Sequence, residues 1–455
     1  MIDLHAQLIR HLSYPAWLLK NHRLSLLRYM KEFEAFQFKS KEEIERAQWG
    51  SLKRLITHAY DSSPFYRGRF EEIGLTPHDI LSFDDYQALP LLRKEDLQDH
   101  VAELVSSRCP SSSLVPDMTG GSTGKPIRFY HDFERTISME ASSLRHDRWA
   151  GYCVGDRLAS IWGHHRDLYD DGSIKERIKR FLLSRSIVLD STTMTDEKMG
   201  DFVANLRHFR PKVIVAYARA LALFAKYCAD AGITDIHPHG IITTAELLLP
   251  EDRDLIEHVF NCKVFNRYGC REVSVIATEC DFHSGLHINA DTLYVEIVDD
   301  SGKSVPPGTP GKVVITDLLN YGMPFLRYSI EDVAVKADRE CPCGRGLPLL
   351  ETLEGRTTDF LVTPDGTKVS GPSMTIYLLT TVPGIRQAQI VQDSVDHIIF
   401  RIVQDGSFHD KGAGVLADKV KLYFGDAMRY NIEFVDRILP EQSGKYRFSI
   451  SMTKA

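Results

Sequence analysis

Apolar and polar positions alternate along this chain in three successive regimes. The first covers about 105 residues and reads as mostly helical. From Glu42 to Tyr60 the apolar residues recur at helical spacing, and Asp61-Ser62-Ser63-Pro64 closes that run. Leu89 to Leu92 reads as a short extended entry, followed by a helix from Arg93-Lys94-Glu95. In the second regime short apolar runs alternate with helical ones. Ile127–Tyr130, Arg157–Trp162, Val213–Ala216, Gly240–Thr244 and Lys263–Arg267 are predicted strands. Phe133–Ala150, Lys198–His208, Ala220–Ala231 and Pro250–Phe260 are predicted helices. That order predicts stacked βαβ units and a doubly wound, mostly parallel sheet.

From His287 the spacing changes to strands and turns, with Leu293–Val298 and Lys312–Asp317 as an antiparallel pair. The last segment predicts strands at Gln387–Val391 and His397–Val403, a helix at Gly412–Phe424 and a strand at Asn431–Val435. The fold class expected is therefore α/β. A large N-terminal domain, 1–355, comprises a helical entry (1–105), an α/β part (106–286) and a β-rich part (287–355). A small, mobile α+β domain, 356–455, follows.

Composition adds mainly exclusions. The 455 residues are 43% hydrophobic and 26% charged, with a formal net charge of −7, an ordinary globular balance. The acidic total and a pI near 6.2 argue against nucleic acid or a polybasic membrane partner. No apolar run approaches the ~20 residues of a membrane span, and the N-terminus lacks a basic flank leading into an apolar core. Trp17-Leu18-Leu19 reads as a helix packed on its own domain, with docking on a membrane or partner as the alternative. Eight cysteines, mostly single and several within apolar runs, fit reduced core thiols and a cytoplasmic setting.

Chemistry concentrates in a few polar clusters. Met118-Thr119-Gly120-Gly121-Ser122-Thr123-Gly124-Lys125-Pro126 can wrap N–H groups and hydroxyls around a polyphosphate, with Lys125 as a point charge. It is not an ordinary P-loop, because Pro126 stands where that motif needs Ser or Thr; a plain turn is the alternative. Asn266-Arg267-Tyr268-Gly269-Cys270-Arg271-Glu272 ends a predicted strand, where open α/β sheets bind ligands. Its tyrosine can stack on a purine and its carboxylate can hold Mg²⁺; a solvated strand end is the other reading. Asp332 can accept from both hydroxyls of a ribose or pair with Arg327. Gly355-Arg356-Thr357-Thr358-Asp359 suits a hinge, and Ser443-Gly444-Lys445 puts a lysine in a late loop.

The succession of these motifs resembles the adenylate-forming enzymes (acyl-CoA ligases, adenylation domains, luciferases). Within them it is similar to the phenylacetate–CoA ligase and coenzyme F390 synthetase-like, or CapK-type, branch. The entry Ser63-Pro64-Phe65-Tyr66-Arg67 with Leu89 to Leu97 shares that likeness, which covers about residues 45 to 450. The resemblance implies an AMP-forming ligase using ATP and Mg²⁺. It would adenylate a carboxylic acid, release pyrophosphate and pass the acyl group most readily to coenzyme A. An amine or hydroxyl acceptor, an F390-type adenylyl transfer, and a non-catalytic nucleotide-binding scaffold are the alternatives.

The residue roles implied are these. Thr119, Gly121, Ser122, Thr123, Gly124 and Lys125 hold phosphates, Tyr268 and Gly269 meet adenine, and Glu272 ligates Mg²⁺. Asp332 binds ribose, Arg345 and Arg356 lie near the nucleotide, Asp359 is the hinge and Lys445 the catalytic lysine. One departure stands out: Glu331 precedes the ribose aspartate where the family usually has glycine. Strand ends bearing His164, His165, Tyr217 and Glu246 are candidates for the acid pocket. The expected partners are a small carboxylate and an acyl acceptor, for a monomer or homodimer.

A further candidate is a metal. Cys341-Pro342-Cys343 with Cys280 and His287, or His283 in its place, supplies the donors of a tetrahedral zinc site. CapK-type sequences carry a similar set, which implies a structural ion; a reduced surface knuckle is the alternative.

Overall fold

The computed structural model describes residues 3–118, 127–162, 181–191, 194–356, 360–365, 368–370, 382, 384–404, 410–439, 447 and 449–452. The chain divides into two units. One holds Met1–Ile330 and Ala334–Thr352; the other holds Glu331–Val333 and Leu353–Ala455. The division thus falls just before the expected boundary at 356, and it also takes three residues out of an earlier strand.

The first unit is built on an 11-stranded sheet. Strands β3 (Arg157–Trp162), β4 (Arg185–Asp190), β5 (Val213–Tyr217), β6 (Gly240–Thr244) and β7 (Lys263–Cys270) form a parallel block in the order β4-β3-β5-β6-β7. Helices Asp196–Phe209, Ala218–Asp230 and Pro250–Phe260 connect or flank these strands. Period-two alternation covers both faces. Ile214, Ile241 and Val264 pack under Leu221, Phe224 and Phe260, while Val213, Ile242 and Phe265 face the other side with Ala150.

The strands of the β-rich part continue the same sheet. Strand β8 (Ser274–Glu279) pairs antiparallel with β7, β9 (Leu286–Ile288) with β8, and β13 (Leu349–Arg356) with β9. Then come β12 (Tyr328–Lys336), β11 (Pro310–Asp317) and β10 (Leu293–Val298). The sheet therefore joins a parallel block to an antiparallel one. The reason is local: β7 and β8 are joined by the tight turn at Arg271–Val273, with no crossover helix, and only an antiparallel pair closes over so few residues.

A separate antiparallel pair, β1 (Leu114–Met118) and β2 (Arg128–Asp132), leads into the helix Phe133–Trp149. Asp132 caps that helix by accepting from Arg135 N at 2.7 Å. The entry helix spans Lys41–Ser62, started by a Ser40/Glu43 capping box. Helix Ser25–Phe36 lays Leu26, Met30 and Phe33 against Ile137 and Ala141 of the helix Phe133–Trp149.

The second unit carries a four-stranded sheet in the order β16 (Arg429–Phe434), β15 (His397–Gln404), β14 (Ile385–Ser394), β17 (Ser449–Ser451). Helix Asp410–Phe424 buries Leu416, Val420 and Phe424 on Ile390, Ile398, Phe400 and Ile402. This is the α+β module expected from the spacing of its apolar residues.

Candidate functional site

The parallel strands end in one row. Ile161 aligns with Ala216, Tyr217 with Thr244, and Thr244 with Arg267, which brings Trp162, Tyr217, Thr244 and Tyr268 to one edge of the sheet. This carboxyl edge is where open α/β sheets take ligands. The rings of Trp162 and Tyr217 lie 4.3 Å apart, and Tyr217 is buried. Ala245 follows Thr244 with φ 68, a left-handed conformation that costs a residue with a Cβ about 1 kcal/mol or more. Glu246 has a structural task there: its Oε2 accepts from Arg219 N at 2.9 Å and so satisfies the start of the helix Ala218–Asp230. The Arg219 guanidinium donates in turn to both oxygens of Asp252, at 3.1 and 3.0 Å.

Strand β7 bulges between Tyr268 and Gly269. A Cβ at Gly269 would sit 2.5 Å from the Ser274 carbonyl oxygen, so only glycine lets β8 return this closely. The turn that follows carries Glu272, which is 6% exposed. Three buried groups hold it. The Tyr328 hydroxyl donates to Glu272 Oε1 at 2.8 Å. His131 Nε2–H donates to the Glu272 carbonyl at 2.7 Å, a role that fits an imidazole held neutral by burial, below its ordinary range. Arg135 donates to the Val273 carbonyl at 3.1 Å while its Nε meets Asp317 Oδ2 at 2.7 Å. Arg271 reaches Asp117 Oδ1 at 3.7 Å, which ties the turn to β1 just before the glycine-rich loop. Residues 119–126, with Thr119, Gly121, Ser122, Thr123, Gly124 and Lys125, lie outside the described residues between β1 and β2, and so do His164, His165, Asp359 and Lys445.

Sequence reasoning missed His131 and Arg135 and did not give Tyr328 its task. A buried cation carries no signature in the sequence, because its partner Asp317 lies far along the chain. The alternative that Arg327 pairs with Asp332 is not supported. Arg327 is buried against Glu296 at 3.1 Å and also donates to the carbonyls of Gln87 and Leu89. Asp332, on β12, belongs to the three residues grouped with the second unit. Its neighbour Glu331 has φ 65, so the position where the family has glycine is one whose backbone favours it.

The other end of β8 carries the cysteines. Ligand atoms of Cys280, His287, Cys341 and Cys343 all lie within 4.8 Å of one another. Cys280 Sγ is 3.6 Å from Cys341 Sγ, and Cys343 Sγ is 3.4 Å from His287 Nε2. His287 Nδ1 faces the Leu347 carbonyl at 3.4 Å, and burial takes its pKa down to about 4. Burial also pushes the Cys280 thiol up to about 12 and Cys341 upward. For Cys343 burial works in the same direction, but the Arg345 N–H and the neighbouring thiols outweigh it and hold the group below its ordinary value. His283 is elsewhere, with Nδ1 3.3 Å from Glu279. Arg345 lies over the Trp149 ring at 4.4 Å and donates to Gln37. Its contacts belong to the cysteine end of β8. Arg356 ends β13.

Residues 361–452 match the family model described as the CapK C-terminal domain. The chain is 27% identical to the phenylacetate–coenzyme A ligase of Thermus thermophilus, over 86% of this chain and 88% of that one. The chain thus resembles the phenylacetate–CoA ligase and CapK branch of the adenylate-forming enzymes. Protein CapK of Staphylococcus aureus is 24% identical over 94% of each chain. In structure the chain resembles a 2-hydroxyisobutyryl-CoA ligase solved in the postadenylation state with an acyl-AMP, at a TM-score of 0.73, 21% identity and 91% coverage of both chains. That last likeness is one of fold.

Proposed function

We propose that this member of the CapK and phenylacetate–CoA ligase branch is an AMP-forming ligase. It joins a small carboxylic acid to ATP as an acyl-adenylate, releases pyrophosphate and transfers the acyl group to coenzyme A. The observation that carries the reading is Glu272, a buried carboxylate locked in place by Tyr328, His131 and Arg135 beside the strand that enters the glycine-rich loop. A carboxylate fixed this way is a ready oxygen ligand for Mg²⁺, which when bound neutralises phosphate charge. Tyr268 offers an aromatic face at the strand end, and Asp332 is the candidate for the ribose. Thr119 and Gly121 to Lys125 are assigned the departing pyrophosphate. Lys445 is assigned the charge that develops as a carboxylate oxygen attacks the α-phosphorus and the bond to pyrophosphate breaks. Positioning and charge neutralisation supply most of the acceleration in such a reaction. Tyr217 and Trp162 wall the edge where the acid would lie, and Asp359 is assigned the hinge.

The cysteine cluster fits zinc. Three thiols and one imidazole make a four-donor tetrahedral set, and the Leu347 carbonyl orients His287 with Nε2 toward the metal position. Four protein donors leave no open position, so the ion would supply structure and no step of the reaction.

Pyrophosphate release, measured over a panel of carboxylic acids with and without coenzyme A, tests the reading. Acid-dependent release, with a thioester formed only when coenzyme A is present, is expected. Lys445→Ala is expected to lose adenylate formation yet convert a supplied acyl-adenylate to the thioester. Full acid-dependent release by that variant would overturn the assignment.

A further inference from the structure

The first helical segment has an unusual construction. Leu4–Leu8 is α-helical, Ile9–Ser13 is a π turn, and Tyr14–Lys20 is α-helical again. At 3.6 residues per turn, positions four apart drift by about 40° per step. The π turn holds more residues than an α turn and takes that drift back. Leu4, Leu8, Leu12 and, one turn after Ala16, Leu19 therefore stay in one line. That line faces outward: Leu4 is 78% exposed, Leu12 64% and Leu19 62%. The inward side of the same segment holds Ile9 and Leu18, both fully buried. Packing on the domain is thus satisfied by the opposite face, and the leucine line is not needed for it.

Two features enlarge the surface. Phe181 sets its ring 4.5 Å from that of His5, tilted by 36°, the Leu182 carbonyl accepts from Ser13 Oγ, and both side chains are exposed. After the turn at His22, Leu24 and Leu27 are exposed at the start of the helix Ser25–Phe36, each followed four positions on by Arg28 and Lys31. Exposed apolar side chains grouped on one surface in this way mark an interaction site.

Charge selects the partner. Between Leu4 and Lys31 there are five basic residues, Arg10, Lys20, Arg23, Arg28 and Lys31, and no acidic one. Arg10 and Arg23 are committed inward to Asp156 and Glu140. Lys20, Arg28 and Lys31 are exposed beside the leucines, with Arg28 4.0 Å from the exposed Glu134 carboxylate. A formal net charge of −7 for the whole chain conceals this local excess. Leucines aligned outward and flanked by cations are the pattern of a helix that lies in the plane of an anionic bilayer. We propose that this face seats the protein peripherally on a membrane rich in acidic phospholipid.

Flotation of the full-length protein with vesicles tests this, using phosphatidylcholine with 30–40% phosphatidylglycerol (roughly the acidic share that polybasic binding needs) against phosphatidylcholine alone. The protein is expected to float with the acidic vesicles and to be released by high salt. A Leu4→Ser/Leu12→Ser/Leu19→Ser variant is expected to lose at least about tenfold in partitioning, the factor one leucine's transfer from water supplies. Its unfolding temperature should stay the same, because the replaced side chains are exposed. Lys20→Glu/Arg28→Glu/Lys31→Glu is expected to abolish the preference for acidic lipid. Failure of the unaltered protein to float overturns the proposal. So does equal flotation of the serine variant. A drop in sedimentation mass on leucine replacement, without vesicles, also overturns it and assigns the face to a second copy of the chain.

Discussion

The two ends of strand β8 solve opposite problems. At Cys280 four donors turn toward one another and complete a set among themselves. At Glu272, two residues before the strand opens, the buried neighbours grip the backbone or one carboxylate oxygen. The first arrangement needs one small ion at its centre and nothing from solution afterwards. The second holds a charge ready for something that arrives and leaves. A rigid strand of about 20 Å between the two lets the closed end brace the open one, so stability and chemistry should respond separately to substitution.

The largest expected effect is at the open end. Glu272→Gln keeps the volume and removes the charge, and acid-dependent pyrophosphate release should fall by about 10³-fold or more, with thermal unfolding within a few degrees of the unaltered protein. Unfolding lowered as strongly as activity would break the comparison, because Glu272 would then be holding the fold. At the closed end, Cys343→Ser should take bound zinc from about one ion per chain to nearly none by elemental analysis. It should destabilise the protein by more than about 2 kcal/mol, while turnover at low temperature stays within a few-fold.

Tyr328→Phe sharpens the open end. It deletes one hydroxyl from Glu272 and should cost about 1–2 kcal/mol in kcat/KM, with the Mg²⁺ dependence moved to higher concentration. The smallest effect is a titration. His146 is fully enclosed and pressed by the Arg145 guanidinium, and burial first, then that charge, hold its pKa well below the ordinary value. The folded state thus refuses a proton that the unfolded chain accepts below about pH 6.5. Stability contributed by the neutral ring is present above that pH and declines as pH falls. Urea unfolding at pH 7.5 and 5.5 should show a loss of about 1 kcal/mol from this residue, and His146→Gln should flatten that part of the profile.

Punctuation made much of the α/β block legible in the sequence. Gly240 opens β6 and Pro250 opens its helix, and both elements begin and end where their residues predict. Strand β1 escaped notice because Pro116 and exposed Val115 break its period, and β4 because a half-exposed edge strand has little apolar alternation. The union of the parallel and antiparallel parts depends on β9 meeting β13 across about 60 residues, which no local pattern encodes. Arg135, Arg145 and Arg327 look like surface cations until Asp317, Asp291 and Glu296 are placed beside them. The grouping of the cysteine knuckle with Cys280 and His287 was readable from residue type and spacing. The groups that orient Glu272 were not, since each acts through a contact distant in sequence.

The π turn at Ile9–Ser13 makes the N-terminal segment sensitive to counting. Five residues of π helix and four of α helix turn through nearly the same angle, so removing any one of those five and closing the turn as α would leave Leu4 and Leu8 within roughly 10° of their place about the axis relative to Leu19. Closing the turn as α with all five residues kept would instead swing them by roughly 90°. The surplus residue and the wide turn are thus a matched pair, and the leucines share a plane only while both are kept or both are lost.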